Sequence, residues 1–257
     1  MIHKILFLIV TIASPLYASI TNAPYQLMLG NKDASSAYKD RAMQALKDFH
    51  VSDFQQVPVK QMNSIAQALI GSQLYSFTLF GIWLNEELLA QESSAILEYR
   101  IYHEAAHYAL GHHSKALGIF AITIPAVAAV PVLYKYYSVP HLHRTVSPYL
   151  AGQINKWASG LLTTAVAYGV YKIGIQATIK EQEKEADLAA IRLLCKLGKE
   201  DVVHAYLQDL NELMAQGFGN ETDGWHYTVA QQYEYCLSCF IFNHPNTTQA
   251  LFNFTQG

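Results

Sequence analysis

Residues 102 to 113 read YHEAAHYALGHH, in a chain of 257 residues that carries 11 histidines. His103 and His107 stand four apart, so on a helix their rings lie one above the other and face a common point. Two neutral imidazoles at that spacing can hold one zinc ion. Glu104 follows the first ligand and lies close enough to reach a water at the metal without binding it, where a general base belongs. Zinc lowers the pKa of such a water to about 7, and the glutamate takes its proton as it attacks a carbonyl. This is metalloprotease chemistry; the plainer alternative is a set of surface or capping histidines on an amphipathic helix.

A third ligand decides between them, and two segments compete. His113 stands six residues after His107, the spacing of HExxHxxGxxH enzymes, in which a glycine three residues after the second histidine breaks the helix. Here that position is Leu110 and the glycine is Gly111, so a continuing helix carries His113 away from the metal face. The other candidate is Glu183, in EKEAD. It shares a stripe with Ala186, Ala190, Leu193, Leu194 and Leu197, as does Asp187. An acid on a buried stripe is costly without a partner, and a zinc ion suffices for Glu183. Asp187, one turn later, can accept the second N–H of a ligating histidine and fix its tautomer. Alternatively, Glu183 sits in a first helical turn to complement the dipole.

HEAAHYALGHH, then a long hydrophobic insertion, then EKEADLAA and HPNTTQAL, resembles the family forty-eight metallopeptidases, the gluzincin group of HtpX-like, periplasmic BepA-like and CAAX prenyl proteases. The resemblance implies His103, His107 and Glu183 as zinc ligands, Glu104 as base and Asp187 behind the ligands. It equates the family's histidine five residues after the second ligand with His112, and its late His-Pro motif with His244 and Pro245. His244 is thereby expected near the zinc, either stabilising the oxyanion or occluding the metal. Thr247, Thr248 and Gln249 replace the acidic and arginine residues that usually follow in the family. An edge strand ahead of the motif helix holds the substrate backbone in such enzymes, which makes FTLFGIWLN from Phe77 the candidate; the same segment also reads as a core strand.

The elements that must carry these residues follow from the pattern. Residues 34 to 49 have helical periodicity with Ser35 or Ser36 as cap, VPVKQMN reads as a short strand, and Ser76 to Leu84 as a second. Ser93 and Ser94 cap the motif helix. Two apolar stretches follow, 116 to 134 with Pro125 and Pro131 each interrupting a helix, and 157 to 179. They form a candidate membrane hairpin, whose basic connector would face the cytoplasm, or a soluble pair of buried helices. A charged helix then starts at Lys180 and stops at Gly198, and another starts at Asp201.

The bulk properties set the frame. Charged residues make up 14%, hydrophobic residues 51%, and the formal net charge is -3, so no basic footprint for nucleic acid exists. MIHKILFLIVTIASPLYAS is laid out as a secretory signal with cleavage near Ala18 or Ser19, or else an uncleaved anchor; both export the chain. Cys195, Cys236 and Cys239 are an odd set, read as packing residues or one incidental disulfide. The expected protein is mainly α with a small β-sheet (α+β): a signal peptide at 1–18, then a zinc metallopeptidase domain at 19–257 with a hydrophobic hairpin at 116–179 inserted between the two ligand segments. Its expected activity is zinc-dependent endopeptidase action on exported or membrane-associated proteins, with a role in protein quality control implied by the resemblance. The expected location is the periplasmic or secreted side, with membrane association through the hairpin. A catalytically silent or self-plugged zinc protein that binds other proteins is the alternative.

Overall fold

A computed structural model of the chain describes residues 30–64, 76–78, 81–221 and 226–243. The expected signal segment, His244 and Pro245 lie outside the described residues. The chain is mainly helical with one small sheet. It parts into two compact units, residues 1–113 with 182–257, and residues 114–181.

In the first unit, α1 (Ser36–Asp48) leads through a 3-10 turn (Phe54–Gln56) to β1 (Val59–Gln61), β2 (Ser76–Thr78) and β3 (Ile82–Leu84). Their order is β1-β3-β2, with β1 parallel and β2 antiparallel to the central β3. The sequence reading of one strand from Ser76 to Leu84 is therefore corrected to two strands of a hairpin. Gly81, at the start of β3, lets that strand pass close to Pro58: a Cβ there would lie 2.6 Å from the Pro58 carbonyl oxygen. The proposed substrate segment divides accordingly, because β3 is fully buried core and β2 lies at one edge of the sheet among the described residues.

After α2 (Glu86–Leu89), Ser93 caps α3 (Ser94–Ala109) by accepting the Ile96 N–H at 3.2 Å. This motif helix is buried on most sides, through Ile96, Tyr99, Ile101, Tyr102, Ala105 and Ala106. Such a helix belongs at the centre of a fold, and it packs against α1 through Ala42, Ala45 and Leu46. Burying a side chain of the size of Leu46 or Ile101 contributes about 1.5–3 kcal/mol.

Contrary to the continuing helix expected after His107, α3 stops at Ala109, and Gly111 takes φ 65° before α4 (His112–Thr145) begins. That positive φ is the left-handed conformation with which glycine ends helices.

The second unit holds most of α4, then α5 (Pro148–Gly169) and a π-turn (Val170–Ile175). Pro125, Pro131 and Pro140 lie inside α4, so the expected interruptions do not occur; each proline forfeits one N–H bond and the helix continues past it. Ser147 caps α5 with Pro148 in its first turn, and the Tyr134 hydroxyl donates to Asn155 Oδ1 across the two helices at 3.1 Å. Among the described residues no helix is long and apolar enough to cross a membrane.

The chain returns through α6 (Gln176–Lys196), which starts earlier than Lys180 and closes at Gly198 with φ 72°. Ala186, Ala190 and Leu194 of the foreseen stripe are buried, whereas Leu197 is exposed. Then come α7 (Glu200–Ala215), a 3-10 turn (Phe218–Asn220) and α8 (Val229–Asn243). Tyr206 of α7 stacks on Tyr99 of α3, ring centroids 3.6 Å apart, and Phe240 of α8 is fully buried in the same core. Cys195, Cys236 and Cys239 are buried free thiols, so no disulfide links them.

Candidate metal centre

The i, i+4 spacing on α3 brings His103 and His107 together edge to face, with ring centroids 4.7 Å apart. From α6, Glu183 reaches the same point. His103 Nε2, His107 Nε2 and Glu183 Oε2 form a triangle with sides of 3.0, 3.2 and 3.3 Å. Tetrahedral bonds of about 2.0–2.1 Å separate neighbouring ligand atoms by about 3.3–3.4 Å, so this spacing suits one ion. The His103/His107/Glu183 group could hold a metal ion.

The tautomer of His103 agrees with that. Its Nδ1 lies 2.8 Å from Asp187 Oδ1, and a carboxylate can only accept, so the ring proton sits on Nδ1 and Nε2 presents a lone pair. A lone pair, a second imidazole nitrogen and a carboxylate oxygen at about 3 Å repel unless a cation sits among them. In the metal-free protein a proton serves. Burial opposes charge on the His103 ring, yet Asp187 and Glu183 raise its pKa well above the ordinary histidine value. Burial opposes charge on Glu183 as well, and the His107, His103 and His226 rings hold its carboxyl well below the usual range.

Asp187, 1% exposed, is satisfied on both oxygens. Oδ1 also accepts from the Tyr99 hydroxyl at 2.8 Å; Oδ2 accepts from Gln232 Nε2 at 2.9 Å and the Tyr235 hydroxyl at 2.5 Å. Burial raises its pKa, but His103, Tyr235 and Gln232 outweigh that and lower it. Donors from α3 and α8 thus fix one acid of α6.

Glu104 is buried beside the ligands, and its Oε1 accepts from the Ser76 hydroxyl of β2 at 2.7 Å. The structure therefore brings His103, His107, Glu183 and Asp187 together, with Glu104 next to His103 on the same helix. His113 is not in the ligand group; its ring stacks on Tyr108 at 5.2 Å. His112 instead turns inward from the break at Gly111, with Nδ1 2.9 Å from His107 Nδ1 and Nε2 3.0 Å from Glu185 Oε2. The dipole reading of Glu183 fails because α6 begins at Gln176, and a helix end acts only over about its first turn.

Several contacts escaped the sequence. His226, just ahead of α8, has Nε2 3.2 Å from Glu183 Oε2, so a histidine other than the expected His244 meets the ligand set. Ser76, Tyr99, Glu185, Gln232 and Tyr235 were also missed. Tyr99 alone carried a signal, since it precedes His103 by four residues and must share its face. Comparison with protein-family models, curated proteins and solved structures finds no match.

Proposed function

We propose that this chain is a zinc-dependent endopeptidase of the gluzincin type, hydrolysing peptide bonds in exported or membrane-associated proteins. The observation that carries this reading is the convergence of His103, His107 and Glu183 within 3.3 Å of one another, beside a buried Glu104 on the same helix. Two imidazoles and one carboxylate, with a fourth position left over, are the donor set of catalytic rather than structural zinc. The likeness of HEAAH and EKEAD to the family forty-eight metallopeptidases supports the same conclusion.

Zinc bound there supplies Lewis acidity for a carbonyl and brings a water's pKa near neutrality. The rest is the work of this chain. His103, His107 and Glu183 hold the ion, and Asp187 keeps the His103 proton on Nδ1. Glu104 takes the proton of the attacking water and returns it to the leaving amine. The Ser76 hydroxyl orients that carboxylate from β2. Because β2 is a sheet edge that packs beside α3, a substrate backbone added to it would run past the base.

Export is supported by the layout of the first residues. Association with a membrane surface is supported by Ile122, Val132, Tyr136, Trp157 and Leu161, all more than half exposed on α4 and α5.

The deciding experiment is Glu104→Gln, with zinc content and casein hydrolysis measured together. The expected variant keeps its zinc and loses about 10²–10⁴-fold in turnover. Zinc retained with no hydrolysis by either protein would replace the peptidase with a silent zinc-containing binding protein.

A further inference from the structure

We propose that Glu185 and His112 form a relay that fixes the ring proton of His107, and so set the affinity of the centre for zinc. The inference rests on the zinc reading above.

A histidine that offers Nε2 to a metal must carry its proton on Nδ1, and a buried Nδ1–H needs an acceptor. For His103 that acceptor is Asp187. Among the described residues the group that meets His107 at the equivalent place is no carboxylate but His112, whose Nδ1 lies 2.9 Å from His107 Nδ1. An imidazole nitrogen accepts only when the ring proton is on its other nitrogen. His112 meets that condition through Nε2, which lies 3.0 Å from Glu185 Oε2.

The contacts then permit one proton arrangement that leaves the His107 lone pair facing Glu183. His112 Nε2–H donates to Glu185, His107 Nδ1–H donates to His112, and Nε2 of His107 is left for the ion. Geometry supports a built element. His112 is 2% exposed, and its ring stands at 74° to that of His107, edge toward it. The carboxylate end is open, with Glu185 53% exposed, so a surface acid is connected to a buried ligand through a buried ring. Both ends come from segments that already bring ligands: His112 lies five residues after His107, and Glu185 two after Glu183. As positioning residues they act through His107 and touch no substrate.

The test measures zinc affinity by chelator competition on the full chain, with melting of the zinc-free forms as the folding control. His112→Leu removes the acceptor and is expected to weaken zinc binding about 10–100-fold. His112→Asn places an amide oxygen near the former Nδ1 and should restore affinity toward wild type. Glu185→Ala should weaken binding several-fold in the wild-type background and leave it unchanged in the His112→Asn background, where the relay is bypassed. If His112→Leu does not fold, the other two variants carry the test.

The relay is overturned if Glu185→Ala weakens binding equally in both backgrounds, or if His112→Leu binds zinc like wild type. Glu183→Ala separates the two claims: loss of zinc there with no effect at residues 112 and 185 leaves the centre standing without the relay. No zinc uptake by wild type removes both.

Discussion

Asp187 shows how one side chain can decide the state of a site. A buried carboxylate with four donors around it is held as an anion, and it makes His103 a strong proton acceptor when no metal is present. Protons and a metal ion held there would therefore compete for one place, with a definite dependence on pH. His103 has a folded pKa above its unfolded value of about 6.5, so its contribution to the metal-free fold is complete below that value and is lost as pH rises through the folded one. The depressed pKa values of Glu183 and Asp187 act in the acid range; their contribution is present above the unfolded carboxylate values and disappears as pH falls through the folded ones. Zinc requires the neutral ring, so the rise in melting temperature on adding zinc should grow with pH above about 6.5 until His103 is fully deprotonated. Thermal unfolding with and without zinc across this range checks it. An increment that does not change with pH would show that no site histidine gives up a proton to the metal.

Among the elements, the break between α3 and α4 matters most for the centre. Gly111 sits at φ 65° with nothing within 4 Å of where a Cβ would be, so a side chain there meets conformational strain and no clash. Gly111→Ala should lower stability by about 1–2 kcal/mol, and Gly111→Asn by less, in urea unfolding. A neutral alanine would mean that the turn does not need the left-handed conformation. Residues linked by helical spacing were legible in the sequence: His103 with His107, and Glu183 with Asp187. Ser76, His226, Gln232 and Tyr235 were not, because each enters from another element by tertiary approach and no periodicity links it to the ligands. The reading of one strand from Ser76 to Leu84 failed for a similar reason. A continuous apolar run shows no reversal, and nothing in its periodicity marks where one strand ends and the antiparallel one begins. For α4, Pro125 and Pro131 read as breaks, while the rest of the helix outweighs the bonds they forfeit.

For the whole molecule, the division into two units sets the α4–α5 hairpin apart as a body with many exposed apolar side chains. If that surface meets lipid, Trp157 should report it, since it is 69% exposed. Its fluorescence should shift to the blue on adding phospholipid vesicles, and Trp157→Phe should abolish the shift. Vesicles that leave the emission unchanged would remove the membrane from the proposed function.

Glu183 lies 76 positions beyond His107, with the whole hairpin between them. A chain that is still being made thus exposes its paired imidazoles long before their acidic counterpart arrives. Were the centre to cut peptide bonds as proposed, it could not do so until then, and order of synthesis alone would act as a safety catch.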